Sequence, residues 1–160
     1  MNIQSWLTMG AMVILSLAAL NFNSAVLENS TIEIENKVAL TAFSLADDLI
    51  EEIKGKAFDA ATVQFPTTNP ASLSPPGGLG PLNSEVYPNY NDIDDFHNFT
   101  KTVSAPHAEN YTVTCKVQYV DGNDPDKIVN TQTFYKKVTV KVTSPYLRHH
   151  VTLSFIFTLK

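Results

Sequence analysis

Residues 6–20 read WLTMGAMVILSLAAL, with Thr8 and Ser16 as the polar interruptions. No charged side chain occurs anywhere in residues 1–27. A helix of about 20 apolar residues spans the hydrocarbon core of a bilayer, so residues 4–27 are long enough to cross one. A secretory signal peptide would need a positive segment ahead of the apolar run, which Met1–Ser5 lacks. It would also need a small-x-small cleavage site, and Asn23-Ser24-Ala25 is a poor one. A buried core helix is seldom free of charge for the 22 residues from Trp6 to Leu27. Beside these two readings, the leading one is a helix surrounded by lipid or by other subunits.

Working outward, residues 28–58 read ENSTIEIENKVALTAFSLADDLIEEIKGKAF. Val38, Ala42, Leu45, Ala46, Leu49, Ile53 and Ala57 recur at three- and four-residue steps, the apolar stripe of an amphipathic helix. Asp47, Asp48, Glu51, Glu52 and Lys54 fall on the other side. Gly55, flanked by lysines, suits a helix end. No proline precedes Pro66, so one helix from about residue 4 to about residue 56 is expected, roughly 80 Å long. A domain of this size cannot enclose such a rod, and the helix is expected to protrude. Asn21–Ser24 is its weak point, because asparagine and serine compete for backbone hydrogen bonds. Local loss of helix is expected there.

The next segment cannot be regular. Residues 64–90 hold six of the nine prolines and three of the six glycines, which breaks helix and strand alike. A disordered linker has this composition. An ordered surface loop over a sheet is the other reading, with Leu73, Leu79, Leu82, Val86, Tyr87 and Tyr90 as apolar anchors that linkers lack.

From Tyr111 the period becomes two. Tyr111, Val113, Cys115, Val117 and Tyr119 alternate with Thr112, Thr114, Lys116 and Gln118. After a turn at residues 121–126, Phe134, Val138, Val140 and Val142 alternate with Tyr135, Lys137, Thr139, Lys141 and Thr143. Ser144-Pro145 ends that strand. Val151, Leu153, Phe155, Phe157 and Leu159 alternate with Thr152, Ser154 and Thr158. These are three antiparallel strands with one apolar and one polar face, and His97–Val103 is a candidate fourth. The apolar face must be covered, and the amphipathic helix is the partner available. The expected fold is therefore α+β. Residues 1–27 form the apolar half of a long helix and residues 28–58 its amphipathic half. Residues 59–110 form a Pro/Gly-rich connecting loop, and residues 111–160 an antiparallel β-sheet head.

Charge is segregated along the same boundaries. The net charge of −5 divides into 0 over residues 1–27, −4 over 28–58, −5 over 59–110 and +4 over 111–160. This acidic balance disfavours a nucleic-acid scaffold, which needs concentrated positive surface. The single cysteine, Cys115, excludes an intrachain disulfide and multi-cysteine metal sites. On an apolar strand face it reads as an inert core thiol. Asp92, Asp94 and Asp95, with Asn89 and Asn91, form an oxygen-rich cluster of the kind hard cations use. Their spacing completes no known loop, and a solvated turn accounts for them. Asp121, Asn123, Asp124 and Asp126 echo the start of a calcium loop, but Asp126 and Gln132 stand where glycine and glutamate are required. His149 and His150, if on a strand, point to opposite faces and cannot share an ion. No catalytic triad motif or phosphate-binding glycine loop is present, so neither enzyme chemistry nor a cofactor is expected. Asn29, Asn98 and Asn110 each open an Asn-x-Thr/Ser triplet, the N-glycosylation acceptor pattern.

A charge-free helix (WLTMGAMVILSLAALNFNSAV), an amphipathic continuation, a loop, and a sheet bearing FYKKVTVKVTSP and HHVTLSFIFTLK together resemble the type IV pilin and pseudopilin family. The likeness is one of architecture along the whole chain. Gly10 is followed by Ala11–Leu15 without the family's glutamate, and the paired C-terminal cysteines of many pilins are absent. The resemblance implies a structural subunit stored in the inner membrane and then polymerised into a filament at the cell surface. Its partners would be copies of itself and, before assembly, the membrane. Trp6, Leu7, Met12, Ile14, Leu15, Leu17 and Leu20 would supply the assembly contacts. A membrane-anchored binding or scaffold protein that does not polymerise is the alternative, and a secreted enzyme with a cleaved signal peptide is a third. Opposite charge on the helix and on the Lys137–Lys141 sheet face suits head-to-tail association.

Overall fold

The computed structural model describes residues 2–82 and 85–159. Met1 and Lys160, at the ends of the predicted segments, and Asn83-Ser84 of the proline-rich loop lie outside them. The fold is α+β: helix α1 (Ile3–Lys54) is followed by an antiparallel sheet of β1 (Thr100–Ala105), β2 (Ala108–Tyr119), β3 (Tyr135–Thr143) and β4 (Val151–Thr158). The chain divides into two compact units, Met1–Lys37 and Val38–Lys160.

The first unit is helix alone. The expected break at Asn21–Ser24 does not occur, since α1 is continuous through it. Each asparagine or serine costs only about 0.5 kcal/mol against alanine in a helix, less than the cost of opening several hydrogen-bonded turns between good helix formers. Hydroxyls elsewhere in the unit bond back to the helix instead of competing with it. Thr8 Oγ1 donates to the Ser5 carbonyl at 2.9 Å, Ser16 Oγ to Met12 at 2.8 Å and Thr31 Oγ1 to Leu27 at 2.9 Å. Every residue from 2 to 34 is exposed.

In the second unit, the last third of α1 follows the predicted stripe. Val38, Ala42, Ala46, Leu49 and Ile53 are buried, Leu45 is only partly buried, and Ile50, outside the predicted stripe, is buried with them; they share one core with the sheet's Tyr111, Val113, Cys115, Val117, Val138, Val140 and Val142. The helix stops at Gly55, whose N–H reaches the Glu52 carbonyl at 3.2 Å. The sheet order is β1-β2-β3-β4, all neighbours antiparallel. The candidate fourth strand is real and pairs with β2, Thr102 opposite Thr112. The Pro106-His107 turn joins them, so β2 begins three residues ahead of Tyr111. Burial alternates along β3 as the period of two demands. Leu153 is only partly covered and Phe155 stays 39% exposed at the sheet's edge strand, with the Lys54 ammonium 4.4 Å above its ring. The helix therefore covers less of β4 than its alternation predicts. His149 and His150 lie ahead of β4, in the connector, and not on a strand.

A 3₁₀ turn at Ala60–Thr62 leads into the proline-rich segment, which is itself ordered by turns at Pro70–Ser72 and Pro76–Gly78. Of its predicted anchors, Leu73 is buried, while Leu79, Tyr87 and Tyr90 pack against the core. Leu82 and Val86 remain exposed. Tyr87 and Tyr90 stack edge-on or tilted with Phe96 and Phe99, a geometry favoured by the ring quadrupole.

Candidate functional site

Two features stand out from an ordinary small domain, one in each unit. In the first unit the seven predicted assembly residues all face outward. Trp6 is 62% exposed and Leu15 71%, and Leu7, Met12, Ile14, Leu17 and Leu20 are similar. Ile3, Met9, Val13, Phe22, Val26 and Leu27 add to the same surface. Large exposed apolar patches mark interaction surfaces. This one surrounds the helix instead of forming a stripe, as expected of a segment meeting lipid or other helices on all sides. The helix is long and apolar enough to cross a membrane, and none of its most apolar window is buried within the molecule.

The second feature is a buried ionic cluster. Beyond Gly55 the chain bends and forms an isolated parallel bridge, Ala57 opposite Asp92. The Ile93 N–H donates to the Ala57 carbonyl at 2.9 Å. This bridge sets Phe58 and Asp59 beside the 3₁₀ turn Asp94–Phe96. β3 brings Lys136 to the same place, on the inner face with Val138 and Val140. Its ammonium, fully buried, donates to Asp59 Oδ2 at 2.7 Å, Asp94 Oδ1 at 2.5 Å and the Phe58 carbonyl at 2.8 Å. Three protons meet three acceptors. The rings of Phe58 and Tyr119 lie 4.4 and 5.1 Å from the nitrogen, a cation–π arrangement.

Asp59 is the hub. Its carboxylate accepts from the Ala61 N–H at 3.0 Å, the Ser74 N–H at 3.0 Å, Ser74 Oγ at 3.1 Å and Tyr119 Oη at 3.2 Å. It thereby caps one turn and ties the proline-rich loop to β2 and β3. Burial pushes its carboxyl up, but Lys136 and the backbone donors outweigh burial and hold it near 2. Asp94 differs. Burial dominates and raises it to about 7, with Lys136 opposing and Asp59 and Asp92 adding to the rise. Its Oδ2 has no hydrogen-bond partner among the described residues. Asp92 is raised to about 6 by burial and by Asp95, and its Oδ1 accepts from the Asp94 N–H at 2.7 Å. Burial, followed by the two nearby carboxylates, also pushes the Tyr119 hydroxyl up. The cluster is sealed from solvent, so its chemistry is to hold elements together.

The solvated turn expected for Asp92, Asp94 and Asp95 is thus overturned. All three are buried, and a lysine ammonium supplies the cation that Asp94 faces. No group of metal-ligating side chains among the described residues could hold a metal ion. The alternation of Phe134 with Val138 does not name Lys136, although residue 136 shares their parity. Parity alone places it inside. The Asp121–Asp126 segment is a turn in which Asn123 N–H donates to Asp121 Oδ1 and Asp126 N–H to Asp124 Oδ1, at 2.9 and 3.2 Å. Cys115 is buried and its thiol is pushed up to about 12 by burial, consistent with an inert core residue. His97 Nδ1 lies 2.7 Å from the Val117 carbonyl, fixing the chain ahead of β1. Asn29 is exposed on α1. Asn98 and Asn110 are exposed with φ of 60° and 61°, the left-handed region that asparagine tolerates best after glycine. Comparison with known proteins finds no matching family model, curated protein or solved structure.

Proposed function

We propose that this chain is a non-enzymatic structural subunit of a type IV pilus-like filament. The single observation that carries this reading is the apolar surface wrapping the whole of residues 3–27 on one unbroken helix. A water-exposed helix of that kind is unfavourable by about 25 cal/mol for each Å² of apolar area. Lipid can cover it while the subunit is stored in the inner membrane, and the helices of neighbouring copies can cover it in a cell-surface filament. The second unit supports the reading in a different way. Its buried ionic cluster staples the connecting loop to the sheet without any disulfide, giving a self-contained head.

Electron microscopy of surface material sheared from cells, with antibody against the head, tests this. Labelled filaments are the expected result. Protein confined to the membrane fraction, with no labelled filament, would replace this reading with a membrane-anchored scaffold. N-terminal sequencing separates both from a secreted form, whose chain would begin near Val26.

A further inference from the structure

On the outer face of the sheet, β2 and β3 carry Lys116, Lys137 and Lys141 among threonines, with no carboxylate on the strands' outer positions from Thr112 to Gln118 or Tyr135 to Thr143. Lys137 is satisfied within the subunit, 2.7 Å from Asp126. Lys116 and Lys141 are exposed, and none of the ion pairs among the described residues involves them. Lys116 stands opposite Thr139 and Lys141 opposite Thr114, so the two are diagonal cross-strand neighbours, about 7–8 Å apart at their α-carbons. They flank a groove of about 460 Å³ floored by Thr114 and Thr139 and bordered by Asn98, Phe99 and Thr100. Two like charges across a hydroxyl-lined groove, without a counter-ion, form a receptor for a pair of carboxylates.

The same unit presents such a pair on its opposite side. On α1, Asp47 and Asp48 are exposed and take part in none of those ion pairs. Their neighbours are occupied: Glu51 pairs with Lys54 at 2.5 Å, and Glu52 accepts from Tyr87 Oη at 3.2 Å. The inner face of the sheet lies between the two surfaces, so one subunit's Asp47-Asp48 cannot reach its own lysine groove. We infer that the Lys116–Lys141 groove receives the Asp47-Asp48 face of a second copy of this chain, a heterologous contact that repeats without closing. This rests on the filament reading and names the residues that set register between heads. The apolar helix supplies affinity, because exposed ion pairs contribute little individually and weaken with salt.

The test uses full-length protein in its native membranes and in sheared material, with a mixture of isotopically labelled and unlabelled copies. A zero-length carbodiimide joins carboxylates to amines in contact, and mass spectrometry identifies mixed-label linked peptides. Links from Asp47 or Asp48 to Lys116 or Lys141 are expected at low salt. Reversing the groove by Lys116→Glu with Lys141→Glu should lower assembly by about tenfold at low salt and little at high salt. Adding Asp47→Lys and Asp48→Lys should restore it. Thermal melting of each variant, expected to be unchanged, shows that the heads stay folded. Filaments without these links, or a groove reversal without effect on assembly at low salt, would overturn the inference and leave the filament reading standing. Links between copies in the membrane without filaments would uphold the contact and overturn the filament reading.

Discussion

Residues 3–34 expose leucine, isoleucine, tryptophan and methionine to solvent, whereas residues 38–159 bury a lysine and four aspartates, Asp59, Asp92, Asp94 and Asp95. The two regions invert the usual rule in opposite directions, and for one reason. A group is placed by the partners available to it. Lys136 can be buried because three acceptors meet its three protons. Leu15 is exposed because none of the described residues packs over it. The second unit pairs its buried lysine within itself; the first needs partners from outside. Substitutions in the buried core of the second unit should therefore leave the exposure of the first intact.

The largest effect is expected from Lys136→Met. It leaves Asp59 buried with only neutral donors. Removing one member of a buried ion pair costs about 3–5 kcal/mol, a large part of a small domain's stability. Thermal melting of the full chain in detergent should show the sheet signal lost at much lower temperature. A melting temperature within a few degrees of the wild type would break the comparison. Lys136→Arg should retain the charge but not the fit, because a planar fork replaces a compact ammonium.

Next comes Leu15→Arg. Arginine at the centre of a membrane helix costs about 3 kcal/mol by insertion scales. Membrane retention and filament yield should both fall, while the melting of the sheet stays as in the wild type. Normal filaments from this variant would show that the apolar surface is not where copies meet.

These two sites were not equally legible in the sequence. The first unit could be read directly, because hydrophobicity over 20 or more residues is a one-dimensional signal. The stripe Val38–Ile53 and the three alternating strands were equally plain, since 3.6- and 2-residue periods survive without tertiary information. The continuity of α1 at Asn21–Ser24 was not, because weak propensities are overridden by their neighbours. The ionic cluster was out of reach for another reason. Asp59, Asp94 and Lys136 are separated by 35 and 42 residues and meet only through the Ala57–Asp92 bridge and the placement of β3. Half of it was still recoverable. Strand parity puts Lys136 on the apolar face, and a buried lysine demands carboxylates. The acid-rich 59–110 segment was the obvious source.

The cluster's opposed carboxyls predict an unusual pH profile. Asp92 and Asp94 titrate higher in the folded chain than in the unfolded one, near 6 and 7 against 3.8. Between about pH 4 and pH 7 the folded state therefore binds more protons, and stability falls as pH rises through that window. Asp59 acts in the other sense: its carboxyl lies near 2 in the folded chain, so its contribution is lost as pH falls from about 4 to about 2. Maximum stability should lie near pH 4, with a decline as pH rises toward 7.5. Asp94→Asn keeps an acceptor for Lys136 without a titratable proton and should flatten most of the decline. A wild-type melting temperature that rises between pH 4 and pH 7 would contradict this assignment of charge.

The smallest effects come from one substitution made in both regions. At Gly122, in the turn after β2, an added methyl would sit 2.5 Å from Tyr135 Cε2 and 3.0 Å from Cδ2. The Tyr135 backbone is fixed by β3 pairing, opposite Thr158, so the ring must swing away from its packed position. Overpacking of this kind costs about 1 kcal/mol or slightly more, and Gly122→Ala should lower the melting temperature by a few degrees. At Gly10, inside α1, an added methyl meets nothing within 4 Å. Alanine there is worth about 0.5–1 kcal/mol to the helix. Gly10→Ala should accordingly raise helix content in detergent, read by circular dichroism, and leave the sheet's melting unchanged. In the proposed filament the sign would reverse if residue 10 lies at a contact, because small residues let helices approach closely and an added methyl would project into the neighbour. Reduced filament yield from Gly10→Ala, with higher helix content in the isolated subunit, would place residue 10 at a close contact between copies. Equal loss of stability from both alanines in the isolated chain would show that residue 10 is packed within the subunit, and the division between a self-satisfied head and a partner-dependent helix would fail at that position.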